Sequence, residues 1–422
     1  MGGAARWNRI VIVGGGLAGG NAARTLREEG YGGEVQLIAD EPGIPFGRPP
    51  LSKGYLRGEE TLEGWLVKPA DWYAAHGVEL IRGTVARIEP RSHRVVLRGG
   101  NEVEYTRLLI AAGGRNRAPD IPGDKLDAIF QLRTVAEADA IKRAARPGAH
   151  AVVAGMGFIG CEVTASLRQL GVSVTSVFPG DAPLDSVLGP EMGSVMAAIH
   201  RDNGAELLAH DQVLRFEGQT KLERAVTKAG RKIACDFAVV AVGIRPNVEF
   251  LEGSAVDVDN GVLTDAMCRT NLPDIFAAGD IANHMHPLFG RTRVEHYNNA
   301  EKQGRSVAST MLGSNQAYDY LYTFWSDQYD QKIEYAGHVR RWDQFVVRGS
   351  LEQRTLVGFY IVDGAVRAAV GLNRGGDPEL DADGEMAAAA SLIRDRATPS
   401  ARDLADEDHD LARAARSSRP EA

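Results

Sequence analysis

Cysteine is scarce in this 422-residue chain: Cys161, Cys235 and Cys268 stand far apart and are odd in number. With no Cys-x-x-Cys and no other close pair, a disulfide framework, a zinc site and a dithiol redox centre are all disfavoured. Long apolar runs are missing as well. No segment approaches the roughly 18 consecutive apolar residues of a membrane span, and Met1 to Asn8 carries no apolar stretch, so the expected location is the cytoplasm, with no membrane partner. Concentrated positive charge is also absent. The formal net charge is −8 and no basic run is long enough to track a phosphate backbone, which argues against nucleic acid as a partner. The length exceeds what one hydrophobic core serves, so two or three domains are expected.

What the chain does have is patterned glycine. A Gly-x-Gly-x-x-Gly run occurs twice, as Gly14-Gly15-Gly16-Leu17-Ala18-Gly19 and as Gly155-Met156-Gly157-Phe158-Ile159-Gly160. Each follows an apolar run, Ile10 to Val13 and Ala151 to Ala154, and precedes an amphipathic helical stretch. The first glycine permits the tight strand-to-helix turn, the second admits a pyrophosphate close to the backbone, and the third lets helix pack on strand. The helix N-terminus then presents N–H groups and partial positive charge to the phosphates. Two dinucleotides on one chain point to electron transfer between them.

The first unit reads as strand Arg9 to Val13, helix Ala18 to Glu29 and strand Glu34 to Ala39, with Asp40 at the strand end as the ribose ligand and Glu41 as its understudy. Residues Gly43 to Lys53 are stiffened by Pro45, Pro49 and Pro50, a segment able to hold Arg48 and Lys53 beside an anionic cofactor. The alternative there is a surface loop capping a helix through Ser52. The second unit reads as strand Ala151 to Ala154, helix Gly160 to Leu170, strand Val172 to Val177 and strand Phe237 to Val242. A buried strand then ends in Gly279-Asp280, whose carboxylate points into a ligand crevice. After Tyr318 the alternation of aromatic and polar residues predicts an antiparallel sheet. The stretch from about Arg396 is rich in Ala, Arg and Asp and is read as a partly disordered tail.

Taken in order, Gly14 to Gly19, Arg48-Pro49-Pro50-Leu51-Ser52-Lys53, Gly155 to Gly160, Gly279-Asp280 and Phe324-Trp325-Ser326-Asp327-Gln328-Tyr329 resemble the FAD-dependent ferredoxin reductases of oxygenase systems. That resemblance spans roughly Asn8 to Arg374 and implies an α/β, glutathione-reductase-like, two-dinucleotide flavoprotein with a C-terminal α+β domain. The implied division is an FAD domain at 1–118 and 247–318, an NAD domain at 119–246, an antiparallel-sheet domain at 319–395 and a tail at 396–422. It further implies a ferredoxin–NAD(+) reductase: NADH gives hydride to FAD, and single electrons pass to a [2Fe–2S] ferredoxin that serves a cytochrome P450 or a Rieske oxygenase. A monomer or weak homodimer is expected. FAD contacts carried over by motif position are Gly14, Gly16, Ala18, Gly19, Asp40, Arg48, Lys53, Val85, Arg133, Gly279, Asp280 and Tyr297. Pyridine-nucleotide contacts are Gly155, Gly157, Phe158, Ile159, Gly160, Glu162 and Gly243. The resemblance places Lys53 beside the flavin and Glu162 beside the nicotinamide, as the two residues nearest the chemistry; a solvent-facing helical glutamate is the plain alternative for Glu162.

One departure concerns the second ribose. Where NADH-using relatives tend to carry an acid, this chain has Phe178, so Asp181 is the substitute carboxylate; no Lys or Arg occurs from Val172 to His200, which favours NADH over NADPH. Cys161, near a helix start, is either a reactive thiol or a small buried residue. His284 and His286, two apart in an expected loop, and His296 do not make a zinc ligand set, and no metal is expected. Arg340, Arg341 and Arg348 near Trp325 are either a docking face for an acidic ferredoxin or solvated charges. Rival functions are an NADH-sensing flavoprotein similar to apoptosis-inducing factor and a quinone or monodehydroascorbate reductase. A thiol-based reductase is disfavoured because no cysteine precedes Gly160.

Overall fold

Aliphatic and β-branched residues fill both faces of Arg9–Val13, Arg107–Ile110 and Ile275–Ala277, the pattern of strands covered on two sides. In the computed structural model, which describes residues 8–411, these strands join Glu34–Ala39 and Val78–Arg82 in a five-stranded parallel sheet. The sheet belongs to the first of two units, formed by the chain up to Pro49, Leu62–Arg115 and Ile244–Tyr320. One face carries helices Leu17–Glu28 and Tyr297–Met311, which pack on each other closely enough that a Cβ on Gly304 would lie 2.4 Å from the Ala18 carbonyl oxygen. Val11, Ile38, Leu108, Ile110 and Ile275 build a core with the small antiparallel sheet that contains Val85–Glu89 and Arg94–Leu97.

The second unit comprises Pro50–Thr61, Asn116–Gly243 and the chain from Leu321 onward. It repeats the parallel design, with strand order Glu206–Leu208, Ser173–Val177, His150–Ala154, Phe237–Val240 and Ile129–Phe130. The aromatic stretch forms the expected antiparallel sheet, in the order Thr323–Gln328, Gln331–Gly337, Ala365–Leu372, Thr355–Val362 and Gln344–Ser350.

Two readings of domain organisation change. The C-terminal sheet shares one core with the second nucleotide module: Met156, Phe178, Leu188 and Met196 pack with Phe324, Tyr335 and Tyr360, and the Tyr360 hydroxyl donates to the Leu188 carbonyl at 2.8 Å. Residues 396 to 411, the first part of the stretch expected to be partly disordered, are ordered. Helix Ala401–Ala405 is capped by Ser400, and Leu404 and Leu411 are buried. The holding group is Arg348, which donates to the backbone carbonyls of Asp406, Glu407 and His409. Residues 412–422 of the expected tail lie outside the described residues.

Candidate functional site

The two glycine turns are built alike. In the first, the Gly14 N–H donates to the Ile38 carbonyl at 2.8 Å; in the second, the Gly155 N–H donates to the Val177 carbonyl at 2.9 Å. A Cβ on Gly19 would fall 2.0 Å from the Gly14 oxygen, and one on Gly160 would fall 2.0 Å from the Gly155 oxygen. No side chain fits there, because helix and turn touch through backbone alone. The middle glycines differ: around a Cβ on Gly16 or Gly157 there is nothing within 4 Å. Helices Leu17–Glu28 and Phe158–Gln169 start from these glycines without a side-chain cap and without an acidic residue in the first turn. Each turn therefore offers uncapped N–H donors, a positive helix end and open space, which fits a pyrophosphate. The residues present fit FAD in the first unit and NADH in the second.

In the first unit the Gly279-Asp280 turn lies against that cradle. Gly279 adopts φ +78°, its Cβ would sit 2.8 Å from the Ala18 Cβ, and its N–H donates to Gln303 Oε1 at 2.8 Å. Asp280 is buried at the start of a short 3-10 turn, Gly279–Ile281. Asp40 is exposed at the end of strand Glu34–Ala39, whereas Glu41 pairs with Arg48 at 2.6 Å. Tyr297 opens the helix Tyr297–Met311, wedged between Gly47 and Trp65, whose ring meets it edge-on at 5.9 Å. Val85 begins its strand half-buried against the core. Lys53 and Arg133 belong to the second unit; the backbone N–H groups of Arg133 and Thr134 both donate to Glu137, in a capping box.

Glu162 is a buried carboxylate of the second unit, held at both oxygens. It faces inward with 4% exposure, which overturns the solvent-facing alternative. Lys53 Nζ lies 2.7 Å from Oε2, the Ser52 hydroxyl donates to Oε2 at 2.5 Å, and the Ser326 hydroxyl donates to Oε1 at 2.7 Å. Ser52 thus does not cap the helix Gly54–Arg57, whose N-cap is Lys53 with no side-chain bond. The Ser52 carbonyl accepts from Ser166 at 2.6 Å, and Tyr55 donates to Asp139 at 2.8 Å, so residues 52–55 are held within the second unit. Phe158 meets Phe324 edge-on at 4.8 Å, and Gly243 holds φ +92°. Ile159 and Val242 flank the Gly155 turn with 43% and 45% exposure, an apolar rim on the cradle.

Phe178 is buried in the shared core, while Asp181 in the following loop is exposed beside His210. Burial pushes the Cys161 thiol well up and the Cys235 thiol to about 11, so neither is a thiolate at neutral pH. The expected loop at His284 and His286 is instead a strand, Ala282–His286, whose alternation turns both rings inward; their Nε2 atoms meet the carbonyls of Tyr318 and Tyr320 at 3.1 and 3.0 Å. Arg348 leaves the docking face: it is 4% exposed and paired with Glu385. Arg340 and Arg341 remain exposed. Ser52, Ser326, Gln303 and Trp65 carry contacts that no spacing rule reveals, since each partner is distant in sequence.

A family model described as pyridine nucleotide-disulphide oxidoreductase matches residues 8–304, and one described as Reductase C-terminal matches residues 323–415. The chain is 36% identical to rhodocoxin reductase of Rhodococcus erythropolis, over 81% of each protein. It is 33% identical to putidaredoxin reductase of Pseudomonas putida, covering 87% of this chain and 89% of that one. The reductase in the crystal structure of the covalent putidaredoxin reductase–putidaredoxin complex superposes with a TM-score of 0.93 at 31% identity, over 98% of this chain and 99% of that one. With two glycine turns built alike and family matches over residues 8–304 and 323–415, the chain belongs to the pyridine nucleotide-disulphide oxidoreductase family and carries a Reductase C-terminal domain.

Proposed function

We propose that this protein is an FAD-dependent reductase that takes hydride from NADH and passes single electrons to a [2Fe–2S] ferredoxin serving a cytochrome P450 or Rieske-type oxygenase. The observation that carries the reading is the pair of open glycine cradles with no usable thiol in the chain. Despite the family's name, disulfide chemistry has no dithiol here. FAD, when bound, accepts a hydride and releases its electrons one at a time.

The chain's own residues bind, orient and shield. Gly14, Gly16, Ala18 and Gly19 receive the FAD pyrophosphate, Asp40 its ribose and Asp280 its sugar-alcohol chain, while Arg48, Val85, Gly279 and Tyr297 frame the rest. Lys53 and Arg133 keep the flavin assignment that their motif positions give. Gly155, Gly157 and Gly160 receive the NADH pyrophosphate, with Phe158, Ile159 and Gly243 around the nicotinamide half. Glu162, gripped at both oxygens, orients the nicotinamide amide, and Lys53 balances its charge. Asp181 serves the adenosine ribose. Arg340 and Arg341 are the steering charges for an acidic ferredoxin. We assign the protein to the cytoplasm, where NADH is available and buried free thiols stay reduced.

Substitution of the middle glycines tests the reading. Both have ordinary helical-entry backbone, φ −82° for Gly16 and φ −74° for Gly157, so alanine is tolerated by the fold but its methyl enters the cradle. Gly16→Ala should yield folded protein depleted of flavin. Gly157→Ala should keep its flavin and lose reduction by NADH. A Gly157→Ala protein bleached by NADH at the unaltered rate would contradict the assignment.

A further inference from the structure

Glu162 is the end of a longer construction. As a carboxylate it only accepts hydrogen bonds, so the Ser326 hydroxyl, 2.7 Å from Oε1, must spend its single proton there. The Ser326 oxygen then has to receive, and Gln328 Nε2 donates to it at 3.1 Å. That orientation turns Gln328 Oε1 toward His200 Nε2, also at 3.1 Å, so Nε2 carries the imidazole proton. His200 Nδ1 is left as an acceptor and takes the Tyr329 hydroxyl at 3.1 Å. Each proton assignment is forced by the one before it, starting from the carboxylate.

Ser326 and Gln328 alternate on one face of strand Thr323–Gln328, and His200 comes from helix Asp185–Asp202. Ser326, Gln328 and His200 are all fully buried. Burial also holds His200 down to about 4, so the ring stays neutral at any pH where the enzyme would be assayed. A protonated His200 would donate from both nitrogens and break the pattern at Tyr329.

We propose that Tyr329, His200, Gln328 and Ser326 form a one-directional hydrogen-bond chain that fixes Glu162 as an oriented carboxylate, making them positioning residues for hydride transfer. The proposal rests on the reading that Glu162 lies beside the nicotinamide. All four donors point the same way, so each polarises the next and the sum falls on Oε1. Lys53 and Ser52 hold Oε2. The carboxylate is thereby fixed in plane. This gives the Ser-Asp-Gln-Tyr part of the Phe-Trp-Ser-Asp-Gln-Tyr run a task inside the protein: three of its four residues, two at the end of a C-terminal-sheet strand and Tyr329 in the turn after it, support a residue of the nucleotide helix.

Two measurements on the flavin-loaded, full-length protein test it. With ¹⁵N-labelled histidine, and His200→Asn to assign the signal, long-range nitrogen–proton correlation should show His200 neutral and protonated on Nε2 from about pH 5.5 to about pH 8.5, a window above its depressed pKa. The Nδ1–H form or an imidazolium in that window would overturn the chain. This measurement uses the unaltered protein, so misfolding of a variant cannot shield the proposal. In single-turnover reduction by NADH, Ser326→Ala should slow the limiting rate roughly tenfold, the value of one bond to a charged group, with NADH affinity within about twofold. Ser326→Thr, which keeps the hydroxyl, should restore most of that rate. An unchanged limiting rate in Ser326→Ala, with Glu162→Gln slow, would overturn the positioning role. An unchanged rate in Glu162→Gln would instead overturn the nicotinamide reading on which the proposal rests.

Discussion

Removing the Lys53 charge should reveal how much of the second unit's stability depends on Glu162 being neutralised. The pair is 2.7 Å apart, with side-chain exposures of 12% and 5%, so solvent screens it little. Truncating one partner of a buried ion pair typically costs about 3–5 kcal/mol, because the other is left charged and unpaired. Glu162 retains the Ser52 and Ser326 hydroxyls, which places Lys53→Met near the lower end, about 3 kcal/mol. For a folded body of this size that corresponds to a fall of about 6–12 °C in the first thermal transition. Glu162→Gln should also destabilise, since it strands Lys53. The double variant should be more stable than the sum of the two losses predicts, with a coupling of about 2 kcal/mol. The assay is thermal unfolding at saturating FAD for all four proteins, so that flavin loss does not mimic a stability change. A shift under 2 °C (roughly half a kcal/mol) for Lys53→Met, or strict additivity in the double variant, would mean that Glu162 does not depend on Lys53 for its burial.

Asp181→Lys should raise kcat/KM for NADPH at least about tenfold and lower it for NADH, because the exposed loop after Phe178 would then offer a cation to a 2′-phosphate; steady-state kinetics with both nucleotides checks this. Arg340→Glu with Arg341→Glu should raise the KM for ferredoxin severalfold and leave ferricyanide reduction alone, and equal losses with both acceptors would remove them from the docking face. Arg348→Ala should behave in the opposite way, lowering the melting temperature through about 3 kcal/mol of lost carbonyl and carboxylate contacts, with the ferredoxin KM of the surviving protein unchanged. Stability should also fall on acidification. His200 and His284 are held neutral by burial to about 4, below the ~6.5 of the unfolded chain, so the unfolded state binds more protons between those values. The native state is therefore fully stable above pH ~6.5 and loses up to about 3 kcal/mol per histidine as pH falls toward 4. Denaturant unfolding from pH 7 to 4.5 should show the loss, and His200→Gln should remove about half of it, the His284 share remaining.

The glycine spacings carried the most information in the sequence, because each glycine answers a backbone constraint that no other residue meets. Strands Arg9–Val13 and Glu34–Ala39 and both nucleotide helices follow their apolar patterns to within a residue or two. What was hidden depends on contacts made at long range. Arg348 reads as a surface charge in an alternating strand, and the Ala-rich stretch after Arg396 reads as partly disordered; the burial of the one and the order of the other up to residue 411 are explained together, since that stretch covers Arg348 and supplies its carbonyl partners. His284 and His286 fall in a polar-looking run, but their alternation is that of a strand with buried rings. Phe178 stands where an acid was expected because its ring serves the core shared with the C-terminal sheet, an association that local pattern does not encode. Ser52 and Ser326 gained their roles in the same way, through a glutamate 110 and 164 residues away.

The proposed electron-transfer function is tested by rapid-mixing reduction of the purified, flavin-loaded protein by NADH, followed by mixing with a [2Fe–2S] ferredoxin in the absence of oxygen. Fast bleaching of the flavin by NADH, much slower bleaching by NADPH, and prompt appearance of reduced ferredoxin are expected. Slow bleaching with a persistent long-wavelength absorbance and no electron delivery to ferredoxin would contradict that function.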